Sequence, residues 1–266
     1  MVLAPPAHFF RRPCRLHVRC VVGLFFGYVL LAYRPSLLAN ADDLSAKLST
    51  DNSSAFAQYF SVNSVRTIIA AHKNAHRPGP VIISHPLRTH ASASIPGRNS
   101  VYPSQYLIDL AKRSSLVVVT HPVTSKTLMM DDESFLYSNF IFTVDQVLLD
   151  RESKIVAGDN IYVTRSGGTL KVQDVNVEAI DPEFPPFESG RQYLLFLERL
   201  PGSDFFKATA PASFALGKNQ PDGTEGIAQR LDRHPLEELS ETSKTNAAFV
   251  QEVISAITTA ASEQQQ

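Results

Sequence analysis

Six segments within residues 115–217 have the composition of β-strands, and turn residues separate them at short intervals. The clearest pattern is SFLYSNFIFTVDQVLLD, residues 134–150, in which apolar and polar side chains alternate. The apolar side chains expected on one face of this strand are Phe140, Phe142, Val144 and Leu148. Many short strands with frequent turns are typical of a closed antiparallel barrel or a sandwich. The chain is therefore predicted to be mainly β.

Three further segments refine this expectation. Residues 191–200, RQYLLFLERL, are apolar on both faces, which predicts an interior strand covered on both sides. Residues 159–180 are predicted to form two strands with a tight hairpin turn at Gly167-Gly168, because adjacent glycines supply the positive φ values that such a turn needs. Residues 204–217 are predicted to form the last strand.

Helices are predicted on both sides of the strand series. In PSQYLIDLAKRS, residues 103–114, apolar side chains recur at helical spacing, and Phe249 and Val253 begin a similar repeat near the C-terminus. Five prolines in residues 77–103 indicate an irregular connection. The sequence thus divides into a leader, a Ser- and Pro-rich partly helical linker, a β-barrel domain and a C-terminal helical extension, at residues 1–41, 42–101, 102–220 and 221–266.

The leader combines four arginines within residues 11–19, an uncharged run of fourteen residues from Cys20 to Tyr33, and the small-residue motif Ala39-Asn40-Ala41. This order is typical of a cleaved signal peptide. Because spanning a membrane takes about 20 apolar residues, the run is short for an anchor. A tilted uncleaved anchor stays open as one alternative, since Arg34-Pro35 interrupts the approach to the motif, and an apolar cytosolic arm as another. With a signal peptide or an anchor, the body of the chain is expected outside the cytoplasm, in the periplasm or beyond the cell.

Composition after the leader agrees with export. Five of the 25 basic residues and none of the 26 acidic residues precede Asp42, so the rest of the chain has a net charge near −6. An acidic surface disfavours nucleic acid as a partner. Both cysteines, Cys14 and Cys20, lie in the leader, which excludes disulfides, cysteine-ligated zinc and cysteine nucleophiles from the remainder.

The segment 110–218 resembles a group of exported bacterial proteins with small OB-like barrels, similar in outline to the TIMP/netrin module. Three stretches carry the resemblance: the helix–strand sequence LIDLAKRSSLVVVTHPV, the strand end FTVDQVLL, and FESGRQYLLFL, in which a glycine turn leads into an aromatic-containing strand. The resemblance implies a small antiparallel OB-like barrel with flanking helices. Protease inhibition by TIMP-like domains depends on a free N-terminal cysteine, and this chain has no cysteine to fill that role.

Two groups of residues are candidates for a metal site. His72 and His76 are spaced i, i+4 on a predicted helix, but HKNAH lacks the glutamate of a zincin motif. The acidic run 131–133 lacks the alternating ligands of a calcium loop. Solvated histidines and a solvated turn are the favoured interpretations of these residues.

His121 is the one candidate for a catalytic base, because it follows a run of three valines and precedes Pro122 at a strand position. No nucleophile motif accompanies it. DPEFPPFESG, residues 181–190, is either a loop for a partner or, by preference, a cover over one barrel end. We assign no catalytic, cofactor-binding or metal-binding residue from the sequence.

The function expected from these observations is that of a non-catalytic exported or membrane-tethered interaction module. It would bind protein or envelope polymer, with the N-terminal segment in the membrane if it is not cleaved. Two alternatives stay open: a hydrolase with a dispersed active site around His121, and a structural spacer of the cell envelope.

Overall fold

The computed structural model describes most of the chain beyond the predicted leader, which lies outside the described residues except for Ala41. The described residues are 41–55, 65–76, 78–84, 103–181, 184–218, 226, 228–231 and 245–264. The protein is mainly β, with two sheets, and has helices at both ends.

The described helices are α1 Ala41–Leu48, α2 Val65–Asn74, α3 Pro103–Arg113 and α4 Asn246–Glu263. Among them none combines the length and the apolar character that crossing a membrane requires. The described strands are β1 Val81–Ser84, β2 Leu116–Met129, β3 Leu136–Asp150, β4 Asn160–Ser166, β5 Gly168–Val172, β6 Val175–Ile180, β7 Gln192–Arg199, β8 Phe205–Lys207, β9 Ser213–Leu216 and β10 Gln229–Arg230.

The larger sheet contains a cycle of five strands. β2 pairs with β3, β3 with β4, β4 with β8, β8 with β7, and β7 again with β2. Among the described strand pairs of this larger sheet, only the pair β4 and β8 is parallel. β9 continues from β7, and β10 pairs with β9. The smaller sheet has the order β1-β6-β5, in which β1 runs parallel to β6.

Three apolar clusters hold these elements together. The first takes side chains from the strands of the cycle, with Phe142, Val163 and Leu195 among the fully buried ones. The second joins α3 and α4 to the other side of β2, β7 and β9. The third joins α2 and the smaller sheet to the turn between β2 and β3, around Phe135. β2 and β7 thus each separate the first cluster from the second.

The two-sided strand and the flanking helices agree with their sequence patterns. In β7, Leu195 faces the first cluster and Leu194 and Phe196 face the second. α3 buries its apolar stripe in the second cluster, and so does α4 with Phe249 and Val253. Burial of opposite faces of β7 in different clusters explains why its sequence is apolar throughout.

The predicted hairpin at Gly167-Gly168 is wrong. β4 and β5 do not pair with each other, and the chain passes at these glycines from the larger sheet to the smaller one. Both glycines have positive φ, and a Cβ on Gly168 would collide with the side chains of Ser138 and Thr127. The glycines therefore serve a close crossing of the chain. The tight hairpin joins β5 and β6 instead, where Gln173 and Asp174 have the two positive φ values.

Two details of the strand predictions are also corrected. Leu148 packs against the second cluster, whereas Phe140 and Val144 lie in the first. The cause is the register shift between Val119 and Thr120 in the β2–β3 ladder, which adds Asp145 to β3 and turns over the side chains that follow it. Residues 204–217 form two strands, β8 and β9, because a 3-10 turn with Pro211 interrupts them.

Candidate functional site

His121 lies in β2 just beyond the last residue of that strand that pairs with β7. Its Nδ1 is 2.9 Å from Oδ1 and 3.2 Å from Oδ2 of Asp145. Asp145 is the extra residue of a bulge in β3, and Gln192 donates to its Oδ2 at 3.0 Å. The bulge accounts for the contact because it redirects a side chain that regular alternation would place elsewhere.

This cluster provides two of the three groups that a serine-type hydrolase uses. The carboxylate can orient the imidazole, and the side chain of His121 is 40% exposed. Within the described residues, no serine or threonine hydroxyl bonds to the imidazole. In the part of the chain that the structure describes, a histidine and a carboxylate able to orient it thus meet on the surface, and no hydroxyl is bonded to the imidazole.

His72 and His76 do not converge on one point. His72 Nε2 is 3.2 Å from the carbonyl oxygen of Gly79, and His76 Nδ1 is 3.0 Å from that of Asn74. An open depression of about 320 Å³ lies beside His72, between the end of α2 and the β5–β6 turn. In the part of the chain that the structure describes, no group of three or more potential ligands is placed to hold a metal ion.

The acidic run 131–133 forms the turn between β2 and β3. Asp132 accepts hydrogen bonds from the main chain and hydroxyl of Ser134, which hold the pKa of its carboxyl below the ordinary value. Glu133 forms an ion pair with Arg66 at 2.7 Å. Both carboxylates are therefore used by the turn and by its contact with α2.

The loop 184–190 packs over one end of the first cluster, as its phenylalanines indicated. Phe187 contacts the rings of Phe140, Phe142, Phe184 and Tyr193 edge-on. Arg165 fixes the loop from inside. Its Nη1 donates to the carbonyl of Pro185 at 2.6 Å, its Nη2 donates to the carbonyl of Phe184, and the guanidinium lies 4.2 Å from the Phe184 ring centre.

Burial lowers the pKa of Arg165 to about 10, so the guanidinium remains charged at neutral pH. The negative charge of Asp181, itself buried, acts in the opposite direction and favours the charged form. This arginine holds a loop closed and does not present its charge to solvent.

A second polar cluster lies on the opposite face of β3 and β4. We call it the strap face and define it by its side chains that carry polar groups, which are Tyr137, Asn139, Tyr162, Thr164 and Ser166; Ile141 lies on the same face, opposite Tyr162. The ladder places Asn139 opposite Thr164 and Tyr137 opposite Ser166, so these side chains share a face. Four of the five are at most 1% exposed, and Tyr162 is half-buried.

Residues 47–55, which we call the strap, cover this face. One amide nitrogen, Asn139 Nδ2, donates to the carbonyl oxygens of Leu48 at 3.0 Å and Thr50 at 2.8 Å. The main-chain nitrogen of Asn52 donates to the Tyr137 hydroxyl at 3.1 Å. The Asn52 side chain donates to Asn139 Oδ1 at 3.0 Å. At these positions the strap is thus bound through three main-chain groups and one side chain.

The hydroxyl of Tyr137 also donates to Asp51 Oδ1 at 2.9 Å. Burial and the negative charges of Asp51 and Asp131 raise the pKa of this tyrosine, so it is a neutral hydrogen-bond donor at every physiological pH. Burial opposes ionisation of Asp51, but hydrogen bonds from Ser53 and Tyr137 outweigh it and hold the pKa of that carboxyl below the ordinary value. The contact therefore favours a charged Asp51.

The edges of the strap are attached by an exposed ion pair and an exposed hydrogen bond. Lys47 forms an ion pair with Asp204 at 2.7 Å and lies 5.4 Å from the ring centre of Tyr162. Lys126 donates to the Ser49 hydroxyl at 2.7 Å. Exposed pairs of this kind contribute little to stability.

Sequence reasoning missed the strap face. Alternation along β3 assigned Asn139 to the polar side of the strand, which is correct, but a polar side is ordinarily solvated. The available signal was an asparagine surrounded by apolar and aromatic residues in the best-patterned strand.

Comparison of the chain with protein-family models gives no match, and comparison with curated proteins gives none either.

Proposed function

We propose that the protein is a non-catalytic interaction module that acts outside the cytoplasm and binds protein or envelope polymer. The observation that carries this proposal is the strap face. Two strands of the larger sheet bind a short segment through side-chain contacts to its main chain, and this segment runs from the end of α1 to a 3-10 turn at Ser53–Ala55 of the same chain. A surface that holds one chain segment in this way has the groups needed to hold another.

The scaffold for this function is, in our proposal, a closed OB-like barrel with flanking helices. The cycle of five paired strands supports it, as does the single parallel pairing between β4 and β8. The resemblance of residues 110–218 to small exported barrel proteins points in the same direction. Barrels of this type commonly serve binding, although fold alone does not assign a function.

The proposed location rests on the leader. Its arginines, uncharged run and Ala39-Asn40-Ala41 motif support export, and the absence of cysteine after Cys20 is compatible with an oxidising compartment. N-terminal sequencing of protein from the cell envelope tests this directly. A start at or near Asp42 is the expected result, an intact Met1 in the membrane fraction would favour the tethered form, and recovery from the cytoplasm would contradict both.

The binding function is tested by immobilising the chain from Asp42 onward and adding solubilised envelope proteins and envelope polymers as separate fractions. We expect saturable retention from one fraction. The His121→Ala variant is the matched control, because the proposal gives His121 no role and predicts equal retention. If neither fraction yields saturable binding, the binding proposal fails and the structural spacer becomes the preferred function.

One observation favours a hydrolase as the second candidate, namely the contact between His121 and Asp145. The test is a panel of ester, amide and glycoside substrates. Turnover by the wild type that is lost in both His121→Ala and Asp145→Asn would establish the enzyme. Turnover that survives in both variants would come from elsewhere in the chain or from a contaminant, and no turnover at all would remove this candidate.

A further inference from the structure

We propose that the strap face is a binding site for a short segment of a partner polypeptide, and that residues 47–55 occupy it in cis as a competing ligand. This inference rests on the proposed binding function and names the site and the class of partner. The partner segment would replace the strap and repeat its main-chain contacts.

The first argument is that the face recognises main-chain groups of the strap, in addition to the side chains of Asp51 and Asn52. The two hydrogens of the Asn139 amide are both used on strap carbonyl oxygens, at Leu48 and Thr50. The Tyr137 hydroxyl accepts from the main-chain nitrogen of Asn52. Every peptide offers carbonyl and amide groups at these spacings, so another segment with a similar course can make the same bonds.

The second argument is that the strap leaves part of the face unsatisfied. The hydroxyl oxygens of Thr164 and Ser166 are buried, and among the described residues neither has a hydrogen-bond partner. Cross-strand pairing puts both hydroxyls on the strap face, next to Asn139 and Tyr137. Buried hydroxyls without partners are unfavourable, so a ligand with polar groups over these positions binds better than the strap does.

The third argument is that the strap is held mainly by polar contacts. Leu48 is its one buried large apolar side chain, and Lys47 and Ser49 attach its edges through exposed groups. Polar contacts exchange with water or with another polar chain at small net cost. As a tethered segment, the strap competes at an effective concentration on the order of millimolar, so partner binding needs the strap to open.

The contacts favour a polypeptide over a polysaccharide. The face offers an amide that bridges two carbonyl oxygens and a hydroxyl that accepts from a main-chain N–H, which is the complement of a peptide backbone. Its one half-buried aromatic ring, Tyr162, already lies near the ammonium group of Lys47. A sugar-binding platform would require free aromatic faces.

The experiment compares two variants that both loosen the strap. Asn52→Ala changes the strap and leaves the face intact, whereas Asn139→Ala changes the face itself. The probe is a labelled synthetic peptide with the strap sequence KLSTDNSSA, added in trans and followed by fluorescence anisotropy. We expect Asn52→Ala to bind the probe at least about ten-fold more tightly than the wild type. We expect Asn139→Ala to bind at least about ten-fold more weakly than Asn52→Ala.

Two controls protect this comparison. Thermal unfolding followed by circular dichroism verifies that each variant is folded. If Asn139→Ala does not fold, Tyr137→Phe serves as the face variant because it removes only the hydroxyl that contacts Asn52 and Asp51. In the Asn52→Ala background, Tyr137→Phe should also weaken binding of the probe by several-fold.

Equal binding of the probe to Asn52→Ala and to the Asn52→Ala/Asn139→Ala double variant would overturn the inference, as would the absence of binding to Asn52→Ala. Displacement of the probe by soluble envelope glycans and not by unlabelled peptide would overturn the choice of a polypeptide. The proposed function is tested separately. If immobilised Asn139→Ala retains envelope components as well as the wild type does, the binding function stands and the strap face is not its site. If the wild type retains none, the binding function itself is contradicted.

Discussion

On one face β3 presents Phe140 and Phe142 to a cluster of aromatic and aliphatic side chains, and on the other it presents Tyr137 and Asn139 to the strap. Both faces are buried, but they are buried by different contacts. The inner face is covered by rings from elements that the cycle of strands fixes in place. The outer face is covered by one chain segment through hydrogen bonds. The comparison indicates that the first cover is permanent and the second is exchangeable.

The inner cover also contributes more free energy of folding than the outer cover does. Removing a buried phenylalanine from a core costs about 3–5 kcal/mol. A typical hydrogen bond contributes about 1 kcal/mol net, because water replaces it when it opens. The five hydrogen bonds that join the strap to Tyr137 and Asn139 are therefore worth less than two inner rings, although they bury the same strand.

The largest expected effect is on the inner side. Leu195→Asp would place an unpaired carboxylate in the first cluster, where Leu195 is fully buried, and should cost several kcal/mol, enough to unfold a domain of ordinary stability. Thermal and denaturant unfolding measure it. The matched control is Val156→Asp, at a valine that is 52% exposed, which should change stability by less than about 0.5 kcal/mol. Equal midpoints for Leu195→Asp and the wild type would show that the inner cover is not a core.

Replacement of Arg165 should have an intermediate effect on stability. Arg165 is a polar residue on the inner side, and its guanidinium is hydrogen-bonded there to main-chain carbonyls. Arg165→Ala leaves the carbonyls of Phe184 and Pro185 without their donor and should cost about 3 kcal/mol or more. The measurement is chemical unfolding, together with limited proteolysis of the loop 184–190. The comparison would be sharpened if the loop became cleavable while the strap did not. A variant as stable as the wild type, with an uncleaved loop, would contradict the role given to Arg165.

The smallest expected effect is the response of the strap to acid. The pKa of Asp51 is lowered in the folded protein, so its contribution is present above the pKa of the unfolded chain, near 4, and is lost as pH falls through the lower folded value. Asp204 has a lowered pKa because of Lys47 and acts in the same direction. Protection of the strap amides from hydrogen exchange should therefore fall as the pH is lowered below about 4, the ordinary pKa of a carboxyl group.

Asp51→Asn and Asp204→Asn together should flatten this dependence, whereas the amides of β7 should keep their protection over the same range. Tyr137 and Asp131 face Asp51 as well, but Tyr137 stays neutral throughout. A strap whose protection does not change with pH would show that Asp51 does not help to hold it.

Much of the fold was predictable from local sequence. β7 is apolar at successive positions, α3 has a stripe at helical spacing, and the phenylalanines of the loop 184–190 pack where their prolines and rings suggested. These features depend on side-chain chemistry within a few residues. Long apolar runs and helical stripes leave few alternatives, because each must be buried on a definite face.

The rest depended on contacts that no local pattern records. Residues 47–55 are rich in Ser, Asp and Asn and have the composition of a solvated linker, yet Asn52 is buried because its partner Asn139 lies 87 positions away. The same limit applies to Asp145, whose contact with His121 arises from a bulge. Gly167-Gly168 was misassigned because positive φ is needed at close crossings as well as in hairpins.

The most direct test of the difference between the two covers is native-state hydrogen exchange at two amides. In the strap, the Asn52 amide donates to the Tyr137 hydroxyl. In β3, the Val144 amide donates to the carbonyl of Asp159. We predict that Asn52 exchanges through a local opening, with a lower free energy than Val144 and little dependence on denaturant. Equal opening free energies with the same dependence on denaturant would show that the strap unfolds only with the core, and would contradict an exchangeable cover.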